Sequence, residues 1–236
     1  MSDDHDVIPD LVKGAIECVL RGEHGRAGSF LISIDHSRLV ADRKSALRLR
    51  RARLGRVAFL GNDPRHTRED SSGPVAPTQP RRRAPVPRST MLATFRRDHF
   101  VCRYQHCGRR TIYVPVLRAL SALFPDLIPY QKNWRPIQDH ILYWTYGTSI
   151  DHRISFPHGG TSSPDNLITA CFMGNDIKNM MDAAVLGWRV EAIRSEEWDG
   201  LRSYARDLED AARRAASVSN RPPSSGAKML SLSHRK

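Results

Sequence analysis

Asp151 and His152 stand side by side, and together they offer two of the functions that hydrolysis of a phosphodiester requires. An imidazole with an ordinary pKa of about 6.5 is largely neutral at physiological pH and can take a proton from water. The neighbouring carboxylate can bind a divalent cation that steadies the phosphate and the leaving oxygen. Asn175 offers a second, neutral oxygen ligand. Asp151 and Asn175 are both hard donors, a set that suits Mg²⁺ or Mn²⁺. Asn166 cannot serve as a base at neutral pH, but its amide can orient a loop or the imidazole through hydrogen bonds.

These groups are spread along the chain and need elements to converge. Thr148–Ile150 reads as the end of a strand with Asp151 and His152 at its tip. Gly159-Gly160 permits a sharp reversal at backbone angles that other residues resist. The stretch NLITA, from Asn166, reads as the return strand. Asn175, a favoured residue at helix starts, is expected to open a helix to about Leu186, with Ile177, Met180, Met181, Ala184 and Val185 inward. Each feature alone is commonplace, and their joint occurrence is far more specific.

The skeleton Asp151-His152, Gly159-Gly160, Asn166-Leu167, Asn175 and Lys178 resembles the HNH endonuclease family, whose core is a ββα-metal finger. CGRRTIYVPVLRALSALFPDLIPYQKNWRP, the His140–Trp144 segment, Leu186-Gly187-Trp188 and Trp198-Asp199-Gly200-Leu201 look like one subgroup of that family. The likeness covers roughly residues 91–202. It implies a metal-dependent DNA endonuclease with His152 as general base, Asn166 as an orienting residue, and Asp151 and Asn175 as ligands of one cation. It implies 5′-phosphate and 3′-hydroxyl products. It also places Lys178 at the DNA phosphates. Many members carry two cysteine pairs that bind a structural Zn²⁺. Here Cys102 and Cys107 would form the first pair and Cys171 would open the second, but the expected mate is Gly174. His106 is a substitute ligand to consider, and the alternative is that the cysteines are packing residues. Two other readings stay open on the same fold: a catalytically silent nucleic-acid-binding protein, and an RNA-cleaving toxin.

The rest of the chain frames this centre. There are 37 Lys+Arg against 25 Asp+Glu, a net charge of +12 that attracts a phosphate backbone and makes binding salt-sensitive. The expected fold class is α+β, a ββα-metal core with additional helices and a small, mainly helical N-terminal region at residues 1–61. In that region a helix is expected from Ile8 to about Leu20, a short strand around Phe30–Ile34, and a basic helix from about Ser37 to Leu54. Residues 62–90, rich in proline and carrying Arg81, Arg82 and Arg83, read as a flexible linker whose arginines meet DNA phosphates. The nuclease domain is expected over 91–216, with a strand at Ile112–Val114, a helix over Val116–Phe124, an irregular aromatic stretch at 126–147, a strand near Trp188–Val190 and a charged helix at 196–216. A basic tail, 217–236, reads as disordered. No stretch approaches the roughly 18 apolar residues of a membrane span, and no secretory leader is visible. A cytoplasmic protein with no membrane partner is therefore expected.

Overall fold

Pro9, Val12, Ala15, Ile16 and Val19 fall on one side of a helix, and their burial makes α1 (Val7–Leu20) the first wall of a core. The computed structural model describes residues 7–61, 85–131, 139–184, 186–193 and 197–219, and over 49–61 and at 219 the helical backbone alone. Among the described residues the protein is mixed α/β, with eight α-helices and one two-stranded antiparallel sheet. After α1 come α2 (His24–Ile32), α3 (His36–Gly61), α4 (Arg88–Arg97), α5 (Val114–Leu123) and α6 (Ile141–Tyr146). Strands β1 (Thr148–His152) and β2 (Leu167–Cys171) follow, then α7 (Phe172–Lys178) and α8 (Ala205–Ser219).

The main core does not stop at the proline-rich stretch. Val12, Ile16, Leu31 and Leu39 pack in one cluster with Val116, Leu117, Leu120, Leu142 and Leu208. The N-terminal helices thus share a core with α5, α6 and α8. Polar ties reinforce this contact. Asp10 meets Arg110 at 2.9 Å, and the Tyr204 hydroxyl donates to Glu17 at 3.0 Å. A second cluster, built on Tyr104, Ile168, Ala170, Cys171, Ile177 and Trp188, lies under the hairpin.

Several elements depart from the sequence expectations. Phe30–Ile34 is not a strand: α2 runs through Ile32, and Ala27 and Leu31, four apart, face the core while Ile32 is 70% exposed. The aromatic stretch contains a helix, α6, whose start is capped by His140 Nδ1 accepting from the Leu142 amide at 3.2 Å. Ile112 forms only an isolated bridge with Gly147, and Val190 one with Tyr104. Helix α4 starts at Arg88, inside the stretch assigned to the linker. Arg81, Arg82 and Arg83 lie outside the described residues, as do most of the linker and the tail from residue 220. No helix of the described residues is long and apolar enough to cross a membrane.

Candidate active site

Strands β1 and β2 pair antiparallel, with His152 opposite Leu167 and Asp151 opposite Ile168. That register puts the Asp-His pair at the open end of β1, next to the connecting loop. Asn166 closes the loop from within. Its Oδ1 accepts from the Ile154 amide at 2.8 Å, and its Nδ2 donates to the carbonyls of Ile154 at 3.0 Å and Thr161 at 2.8 Å. Gly160 sits where a Cβ would fall 1.9 Å from the Ile154 carbonyl oxygen, so the loop admits only glycine there. On the far side, Asp182 accepts from the Ser155 amide at 2.6 Å and pairs with His158 at 2.9 Å. Strand β2 is fixed from behind by buried Asp98, which accepts from the Thr169 amide at 2.7 Å and pairs with Arg97 and Arg103.

Helix α7 follows β2 without a break. It begins earlier than expected, at Phe172, and Cys171 is its N-cap, with Sγ accepting from the Gly174 amide at 3.2 Å. Asn175 therefore neither opens nor caps the helix. It sits in the helix, and its Nδ2 donates to Ser149 Oγ at 2.7 Å and to the Ile150 carbonyl at 3.1 Å. The helix also ends at Lys178 rather than near Leu186. Lys178, expected at the DNA phosphates, is instead buried at 1% exposure, with Nζ 3.2 Å from Asp151 Oδ1. The reason is electrostatic: Asp151 is itself buried, and an ion pair lowers the cost of its charge there. The Tyr104 hydroxyl donates to the other carboxylate oxygen, and the His152 amide donates to Oδ1 at 2.7 Å. Burial pushes the Asp151 carboxyl above its ordinary range, against the pull of Lys178 and the Tyr104 hydroxyl. Burial, and Asp151 beside it, push Tyr104 upward too. His152 is buried, with Nε2 3.2 Å from Ser162 Oγ. Asp151, His152, Asn175 and Lys178 line one cavity of about 470 Å³.

No family model, curated protein or solved structure matches the chain. What the site can do rests on its geometry. The hairpin and α7 bring together Asp151, His152 and Asn175, while Asn166 stands behind them in the loop. A carboxylate has about four acceptor positions, and Asp151 uses three on Tyr104, Lys178 and His152. One is left over from these contacts and could serve a cation. Asn175 turns its NH₂ toward Ser149 and Ile150, which leaves its carbonyl oxygen as the second donor. Two hard oxygens fit a cation that keeps most of its own waters. Sequence reasoning missed Tyr104, Ser149 and Ser162. They carry no motif, and only packing brings Tyr104 under Asp151.

Cys102, Cys107 and Cys171 do converge. Their sulfurs all lie within 4.8 Å of one another, and the group could hold a metal ion. Tetrahedral Zn²⁺ with bonds of about 2.3 Å would space sulfurs by about 3.8 Å; Cys107 and Cys171 are 3.7 Å apart. Hydrogen bonds from the other two thiols, with Arg109 alongside, hold Cys107 well below the usual thiol range. A Cβ on Gly174 would stand 3.4 Å from the Cys171 sulfur and 3.7 Å from that of Cys102, so the backbone is placed as for a fourth ligand but carries none. His106 does not join the group; its ring packs on Trp188, centroids 4.0 Å apart.

Proposed function

We propose that the protein is a metal-dependent endonuclease of the HNH type that hydrolyses DNA phosphodiester bonds. The observation that carries the reading is the convergence of Asp151, His152 and Asn175 on one cavity from an antiparallel hairpin and the helix directly after it. His152 is the general base and removes a proton from the attacking water. Asp151 and Asn175 hold one Mg²⁺ or Mn²⁺. When bound, that cation stabilises charge on the phosphate and on the leaving 3′ oxygen. Asn166 is a positioning residue: it ties down the loop that carries Ser162, and Ser162 meets the imidazole. Lys178 orients the Asp151 carboxylate and offsets part of the cost of its buried charge. The thiol cluster would supply a structural Zn²⁺ with three of its four ligands, beside the start of α7. Free thiols fit a reducing cytoplasm, and the +12 charge fits a DNA partner.

One observation favours a second reading. Lys178 already neutralises Asp151, as it would in a catalytically silent nucleic-acid-binding protein. Plasmid DNA and bulk RNA, incubated with Mg²⁺ or Mn²⁺ and with EDTA, separate the two. The nuclease reading expects nicks or breaks in DNA that EDTA abolishes. His152→Ala should slow cutting by about 10²–10⁴ while DNA affinity is kept. Wild-type rates in that variant would remove His152 from the base's role.

A further inference from the structure

Beside the Asp151–His152 cavity lies a second one, of about 480 Å³. Its walls are apolar and aromatic, with Leu92 and Phe95 from α4 and with Trp144 and Phe172. Trp144 and Phe172 line the first cavity as well, so the two spaces adjoin across these rings. The rings stand at 68° with centroids 6.5 Å apart, so their faces point in different directions. Arg43, from α3, lies 4.4 Å from the Trp144 centroid and holds that ring from outside the groove. Exposed Arg88 and Arg118 belong to the same lining.

An apolar slot with aromatic walls and two cations, next to the Asp151–His152 cavity, has a specific chemical complement. A nucleobase out of its stack offers a flat π-face to the walls, and its flanking phosphates meet the arginines. The volume lies within the roughly 300–1,000 Å³ of small-ligand pockets. We propose that this groove is a base-binding subsite that holds one unstacked nucleobase beside the scissile phosphate. The substrate is then single-stranded or locally opened DNA, not an undisturbed duplex. This assignment rests on the nuclease reading for the position of the phosphate. The contact that selects the strand is stacking, so the subsite accepts every base.

The test is binding of the full-length protein in EDTA to a labelled single strand of a dozen nucleotides, and to an abasic strand with the same number of phosphates. Stacking of one base is worth roughly five- to 150-fold in affinity, so the base-bearing strand should bind at least about fivefold more tightly. Leu92→Trp, which fills the groove, should erase that preference and keep the affinity for the abasic strand. Arg88→Gln, an exposed change at the start of α4, should weaken binding of both strands and serves if Leu92→Trp does not fold. Equal affinity of wild-type protein for the two strands overturns the subsite. Concentration-dependent dimerisation in sedimentation that Leu92→Trp abolishes would give the groove to a second copy of the chain and also overturn it. A base preference without cutting in Mn²⁺ leaves the subsite standing and removes the nuclease reading; cutting without a base preference does the reverse.

Discussion

Asp151 shows how one side chain can be legible in type and not in state. Its neighbour His152 and its spacing from Asn175 make it a candidate cation ligand in sequence. Nothing in sequence says that its charge is met inside the fold by Lys178 at 3.2 Å and by the Tyr104 hydroxyl. That pair makes a sharp prediction. Removing one partner of a buried ion pair strands the other charge and costs roughly 3–5 kcal/mol. Lys178→Met should therefore lower the stability seen in urea melts in EDTA by about that much. Because the vacated carboxylate position can then take a cation, Mn²⁺ should recover part of the loss and raise the melting temperature of the variant more than that of wild type. A variant as stable as wild type in EDTA would mean that Asp151 is not charged in the folded protein.

At the scale of elements, the hairpin loop and the start of α6 each depend on one residue type. A methyl on Gly160 would meet the Ile154 carbonyl oxygen at 1.9 Å, so the backbone must move. Gly159 has φ of +87° but open space where a Cβ would go. Gly159→Ala should cost only about 1 kcal/mol, the strain of a left-handed residue. Gly160→Ala should cost about 3 kcal/mol or more and displace the loop from His152. Thermal melts of the two variants side by side check the order, and equal losses would contradict the loop geometry. The cap of α6 brings a pH dependence. His140 accepts from the Leu142 amide through Nδ1, and its Nε2 faces His36 Nδ1 at 3.3 Å. Burial, with His36 opposite, pushes His140 down from 6.5 to about 4. The unfolded chain thus binds the proton first. The stabilisation is complete above pH of about 6.5 and is lost as pH falls toward 4, on the order of 3 kcal/mol. His140→Asn keeps a capping side chain and does not titrate, so in urea melts wild type should lose on the order of 3 kcal/mol relative to that variant as pH falls from 6.5 to 4.

The whole molecule is held by a core to which both halves contribute. Buried Val12, Ala15, Ile16, Val19, Leu31 and Leu39 come from the first three helices. At roughly 1.5–3 kcal/mol for each large side chain, their burial is on the order of the entire stability of an ordinary domain. A chain lacking residues 1–61 should therefore fail to melt cooperatively and should bind hydrophobic dyes. Cooperative unfolding of the truncated protein close to the wild-type temperature would show instead that the C-terminal part folds alone. The basic N-terminal helix has a structural role as well as its charge: α3 packs on α6 and α7, and Arg43 reaches Asp176 at 3.6 Å.

By itself the sequence determined the local architecture of the site. The strand end Thr148–Ile150 ahead of Asp151-His152, the two glycines and the NLITA run specify a hairpin through short-range rules, and the structure has one in that place. The amphipathic pattern of α1 is equally local, since a helix face is read within four residues. Tertiary structure alone decided the rest. Periodicity cannot tell which face of Phe30–Ile34 a neighbour will cover, so an apparent alternation became the helix α2. The start of α7 was set by Cys171, whose sulfur takes the Gly174 amide once packing holds it there. Lys178 was expected at the phosphates through the family resemblance. It is buried because a buried carboxylate distant in sequence lies within its reach. Long-range contacts of this kind leave no spacing in the chain to read.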